Sequence, residues 1–124
     1  MKAIIPGYYI APSSIPGAGI GLFTSEFIPK DKAMFIAFAR HSYSDQIGTD
    51  LFEIHFTQLY PNGYINHNSK ANTTYDYVKG IYLSRRAIRD IYPGEEIFSD
   101  YARSMSFIKE VVKLQPSDWL NFQK

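Results

Sequence analysis

Proline and glycine recur along this chain as punctuation, seven and eight of them dispersed through 124 residues, and the apolar runs between them are short. A chain divided in this way folds most simply as many short strands joined by turns. Ten Tyr, nine Phe and a 16% aromatic content favour the same outcome, since aromatic side chains suit a pleated, half-buried surface. The length is that of one domain, able to bury roughly two-thirds of its unfolded surface, and no second domain is expected.

Charge and cysteine content exclude several functions. With 13 basic and 12 acidic residues the net charge is +1, so no strong field is available to hold nucleic acid. There is no cysteine, which removes disulfides, thiol catalysis and cysteine-ligated zinc. His41, His55 and His67 lack the spacing of metal ligands, so no metal is expected. Pro6 and Gly7 interrupt the N-terminus before a signal-peptide core forms, and no long uncharged apolar stretch follows. These features read as a soluble intracellular protein, with no membrane partner and an oligomeric state the sequence leaves open.

The pattern predicts strands at 8–10 and 22–23, separated by a loop from Pro12 to Gly21, and a strand at 33–39 buried on both faces. Residues 51–57 alternate as a half-buried strand does. Residues 73–78 and 81–84 read as a hairpin around Lys79-Gly80, and 95–99 as a short strand after the turn Tyr92-Pro93-Gly94. One helix is expected over 105–115, with Pro116 ending it and Ser117-Asp118 capping a last turn that carries Trp119 and Phe122.

Three segments carry chemistry. Gly19-Ile20-Gly21-Leu22-Phe23 allows close backbone approach to a ligand, although it lacks the third glycine of a dinucleotide fingerprint. Asn66-His67, read as loop after the turn Pro61-Asn62-Gly63, sets an amide beside an imidazole, with Asn72 and Tyr75 following at fixed spacing. Gly94-Glu95-Glu96-Ile97-Phe98-Ser99-Asp100-Tyr101 closes the set. Adjacent strand residues point to opposite faces, so Glu95 and Glu96 cannot converge on one bond and read as turn and surface residues.

In this order, the three segments resemble the signatures of the SET domain, the fold of most protein-lysine methyltransferases. The match runs from about Ile15 to Tyr101. It implies a mainly β architecture of short sheets, a β-clip, with a C-terminal pseudoknot and a C-terminal helix. One SET domain is expected over 1–124, its core about 8–101 and its flank 102–124. The family's Asn-His-Ser-Cys-x-Pro-Asn is here Asn66-His67-Asn68-Ser69-Lys70-Ala71-Asn72, which keeps both Asn and the His. Cysteine-bearing zinc flanks are absent, as in minimal microbial or viral members.

The resemblance implies S-adenosylmethionine-dependent methylation of a lysine in a protein or peptide, in the cytoplasm or in a host cell. Gly19, Ile20, Gly21, Leu22, Asn66, His67, Tyr101 and Trp119 are then expected at the cofactor, and Tyr101 and Tyr75 at the reaction. Tyr64 is a further channel candidate, and Phe38 stands where many members have another tyrosine. The alternative is a catalytically silent SET-like module that binds a peptide or partner through its aromatic groove.

Overall fold

The computed structural model describes residues 2–40, 56–78 and 81–104. The Lys79-Gly80 turn, the first part of the strand expected at 51–57, the helix at 105–115, the Ser117-Asp118 cap, Trp119 and Phe122 lie outside the described residues. Strands β1 (Lys2–Ile5), β2 (Tyr8–Pro12) and β3 (Ile20–Thr24) form an antiparallel sheet in that order. Across β2 and β3, Tyr9 pairs with Phe23 and their rings stack at 5.5 Å, a cross-strand aromatic pair that helps fix the register.

The second sheet has six strands. β4 (Ala33–Arg40) lies between β5 (Phe56–Gln58) and β8 (Tyr82–Ala87), and β8 pairs with β7 (Thr73–Val78). β7 and β8 are antiparallel, with Tyr75 opposite Arg85 and Tyr77 opposite Leu83, as the expected hairpin requires. Beyond β7 come β9 (Phe98–Ser99) and, at the edge, β6 (Asn66–His67), both in parallel contact.

β9 thus inserts between β6 and β7, two strands that the chain itself joins through residues 68–72. That connection wraps the incoming strand with hydrogen bonds. Asn72 is fully buried; its Nδ2 donates to the Glu96 carbonyl at 2.8 Å, and its Oδ1 accepts the Phe98 N–H at 2.8 Å. The Thr73 hydroxyl donates to the Phe98 carbonyl at 2.7 Å, and the Asn68 N–H to that of Ser99 at 3.1 Å. Chains seldom thread their own loops, so these bonds are what hold an otherwise unfavourable topology.

Residues 94–97 then run along β3 and tie the two sheets together. Gly94 N–H donates to the Thr24 carbonyl at 2.7 Å, Thr24 N–H to Glu95 at 3.1 Å, and Ile97 N–H to Leu22 at 2.8 Å. The core beneath this seam is formed by Leu22, Ile28, Ile65, Ile91 and Ile97, with Tyr8 edge-on to Phe35.

Three expectations change. β4 is not buried on both faces: Ala37 is covered, but Ile36 is 43% exposed, because a domain this small has too little protein to cover both sides of its sheet. Asn66-His67 is a strand rather than a loop, since its ladder partner is supplied by β9 from far along the chain. Only Phe98–Ser99 of the strand expected at 95–99 joins a ladder, while Glu96 makes an isolated bridge to Phe23. A helical turn over 101–104 follows β9.

Candidate functional site

Glu96, read from the sequence as a turn or surface residue, is instead 5% exposed and holds the glycine loop. Its Oε1 accepts the Ser14 N–H and the Ser14 hydroxyl, each at 2.8 Å. Its Oε2 accepts the Ser13 hydroxyl at 2.8 Å and Asn66 Nδ2 at 3.1 Å. Burial alone would raise the pKa of this carboxyl, but the bonds from Ser14, Asn66 and Ser13 outweigh it and hold it below its ordinary value.

The carboxylate also explains a glycine. A Cβ on Gly21 would fall on Glu96 Oε2 and close to Asn66 Nδ2, so only glycine fits there. Gly19 has a different reason: its φ is 76°, and a Cβ would meet nothing within 4 Å. Ile20 is exposed and its carbonyl accepts Asn66 Nδ2 at 3.0 Å. Leu22 is fully buried in the core, so its side chain faces no ligand.

Asn66 therefore spends both amide protons inside the protein, which leaves its Oδ1 as an acceptor without a partner among the described residues. His67 Nδ1 accepts the Tyr101 N–H at 3.0 Å, leaving Nε2 to carry the proton of the neutral ring. The two rings lie 5.2 Å apart. The Tyr101 hydroxyl turns inward and donates to the Ile65 carbonyl at 2.6 Å, although the residue as a whole is 49% exposed. Burial of that hydroxyl pushes its pKa up, Tyr75 adds to the rise, and Arg85 opposes it.

Behind Tyr101 lies a pocket of about 240 Å³ walled by Tyr101, Tyr75, Arg85, Asn62, Gln58 and Ile65. Arg85 is 1% exposed. Its Nη2 donates to the Tyr75 hydroxyl and to Asn62 Oδ1, both at 2.7 Å, and its Nη1 to the Thr73 hydroxyl at 3.1 Å. The guanidinium carbon sits 4.0 Å from the centre of the Tyr75 ring. Asn62 Nδ2 gives Tyr75 a second hydrogen bond at 3.1 Å.

Of the residues expected at the site, Tyr75, Tyr101, Asn66, His67 and Ile20 come together, and Phe38 lies edge-on to Tyr75 at 5.8 Å. Tyr64 does not line this pocket; its hydroxyl bonds that of Tyr60 at 3.0 Å on the outer side. Trp119 lies outside the described residues. The residues missed were Glu96, Asn62 and Arg85. For Arg85 a signal existed: Leu83, Arg85 and Ala87 share one face of β8, so the charge stands in the phase of the buried positions.

The family model for the SET domain matches residues 19–102. Among curated proteins none matches the sequence. Among solved structures, the chain is similar to Polycomb Repressive Complex 2 of Chaetomium thermophilum in an autoinhibited conformation bound to S-adenosylmethionine, with 19% identity and a TM-score of 0.61 over 84% of this chain and 16% of that one. It is also similar to that complex with H3K27me3 and H3K27M, at 22% identity and TM-score 0.58 over 76% and 14%. A humanized mutant of the same complex bound to the inhibitor GSK343 matches at 20% identity and TM-score 0.59 over 87% and 19%. The chain thus spans less than a fifth of each chain it resembles, and what these likenesses share with it is the fold.

Proposed function

The chain belongs to the SET domain family, and from that premise we propose that it transfers a methyl group from S-adenosylmethionine to a lysine side chain of a protein. The observation that carries this reading is the Tyr101 hydroxyl, held by the Ile65 carbonyl at 2.6 Å where the pocket wall meets Asn66 and His67. The two similar structures with S-adenosylmethionine and with H3K27me3 support the pairing of cofactor and lysine.

The residues present fit the cofactor. The open Oδ1 of Asn66 suits the ammonium of its amino-acid part, and the exposed backbone at Gly19 and Ile20 admits close approach. When bound, the cofactor supplies an electrophilic methyl whose bond to sulfur breaks as its bond to the lysine nitrogen forms, carrying the positive charge from sulfur to nitrogen. The protein's part is alignment. Glu96 fixes Asn66 and the glycine loop, His67 fixes the Tyr101 backbone, and the phenol rings of Tyr75 and Tyr101 give the lysine stem an apolar wall. The Tyr101 oxygen, having given its proton to Ile65, presents lone pairs rather than a proton at the wall.

Labelled S-adenosylmethionine and a degenerate pool of lysine peptides test this reading. The unchanged chain is expected to label lysine, and Tyr101→Phe to lose about 10²-fold in rate while still binding the cofactor in a calorimetric titration. Equal labelling by both chains refutes the role of Tyr101. Saturable cofactor binding without any label selects the silent-module reading instead.

A further inference from the structure

We infer that Arg85 is a positioning residue whose charge biases the pocket toward its lysine as the neutral amine and against the ammonium. This rests on the lysine-transfer reading and adds to it the device by which the amine is deprotonated. The guanidinium is buried against the pocket, and all of its partners, Asn62, Thr73 and Tyr75, are uncharged. An arginine keeps its proton even where burial pulls its pKa below the ordinary value, as it does here. A full positive charge therefore faces the pocket with no carboxylate against it among the described residues.

The groups that face it are few. Tyr75 comes from β7 and Tyr101 from the turn after β9; Gln58 of β5, Asn62, and Phe35 of β4, opposite Arg85 in the ladder, carry no charge. Hydrogen-bond accounting agrees with the charge. The Tyr75 oxygen accepts from both Arg85 and Asn62, which uses its two lone pairs, while its own proton has no acceptor among the described residues. An ammonium, with three donors and no acceptor, finds nothing to bond at that oxygen and meets the guanidinium charge behind it. The Tyr101 lone pairs accept an N–H from either form and leave the Arg85 charge to set the preference.

The cost of such a charge falls unequally on the two forms. At about 6 Å and an effective dielectric near 20, a unit charge lowers the pKa of a neighbouring amine by roughly one to two units from its reference of about 10.4. Each unit gives about tenfold more neutral amine below the pKa. During transfer only part of the charge has reached nitrogen, so the penalty on the rate is smaller than the gain in reactive form. Arg85 therefore raises the rate near neutral pH and lowers it where the amine is already neutral.

Rate profiles from about pH 6.5 to 10, with labelled S-adenosylmethionine and the peptide of the pool that takes most label, distinguish this from support of the fold. Arg85→Gln is expected to be about tenfold slower near neutrality and to meet or cross the unchanged chain at the alkaline end. Asn62→Asp keeps the shape of the site and gives Arg85 a carboxylate. It should move the profile the same way, and it keeps the question open to test if Arg85→Gln does not fold. A second measurement involves no turnover: calorimetry at about pH 9.5, between the free and the lowered pKa, in buffers of different ionisation enthalpy and with S-adenosylhomocysteine present, should find roughly half a proton or more released per peptide bound, and less for Asn62→Asp. Profiles that stay parallel at every pH, or an Asn62→Asp profile that does not move, overturn the role of Arg85 alone. No label from the unchanged chain at any pH overturns the transfer reading and this one with it.

Discussion

The Glu96 clamp gives the sharpest quantitative test of how this fold is held. Glu96→Gln replaces one carboxylate oxygen by an NH₂ in a place where every neighbour donates. The hydroxyls of Ser13 and Ser14 can rotate and accept, but the Ser14 N–H at 2.8 Å and Asn66 Nδ2 at 3.1 Å cannot. Whichever way the amide turns, one of these two fixed donors loses its acceptor and the other exchanges a charged acceptor for a neutral one. A hydrogen bond to a charged group contributes about 1.5–3 kcal/mol, and weakening the second adds about 1 kcal/mol, for a total near 3 kcal/mol. For a domain of this size that lowers Tm by roughly 10 °C.

The pH dependence follows from the direction of the carboxyl's shift. Its folded pKa lies below its ordinary value, so its stabilising contribution is fully present above the unfolded pKa of about 4.3 and fades as pH falls from there through the folded value. Thermal unfolding by circular dichroism, from about pH 7 down to about pH 3, should show the gap between the two chains closing on the acid side. The cofactor should also bind Glu96→Gln more weakly, because Asn66 loses one of its two anchors. A Tm unchanged at neutral pH, or a gap of constant size down to the acid end, refutes the clamp.

Asn72→Ala should destabilise the chain by about 3 kcal/mol in urea unfolding, since it leaves the buried Glu96 carbonyl and Phe98 N–H without their partner. The two glycines of the loop should separate cleanly in the same measurement. Gly21→Ala drives a methyl into the Glu96 carboxylate and should lose both stability and cofactor affinity, whereas Gly19→Ala costs only the roughly 1–2 kcal/mol of a left-handed φ.

The sequence was most readable where structure is local. β2, β4 and the β7–β8 hairpin follow from short apolar runs and turn residues within a few positions of each other. Asn66-His67 could not be read as a strand, because two residues carry no periodicity and their ladder partner lies more than thirty positions on. Glu96 was misread for a related reason. Beside Glu95 in a turn it resembles any surface acid, and its donors at Ser13 and Ser14 become neighbours only when residues 94–97 lie along β3. The chain's threading brings Asn66, His67, Tyr75 and Tyr101 near one another, but the groups that hold them, Glu96 and Arg85, belong to the contacts between distant segments.

Those contacts converge on a two-residue strand. Neighbours on a strand point opposite ways, so Asn66 reaches Glu96 and the Ile20 carbonyl on one side while His67 reaches the Tyr101 backbone on the other. Ile65, immediately before them, sends its carbonyl to the Tyr101 hydroxyl. Three consecutive residues thus link the glycine loop to the tyrosine at the pocket wall, and β9 holds them by pairing along β6. Insertion of β9 between β6 and β7 is therefore what brings Tyr101 to His67 and Ile65, and it also brings Glu96 beneath the glycine loop. A chain that left β9 outside its own loop would keep all the motif residues and assemble neither half of the site.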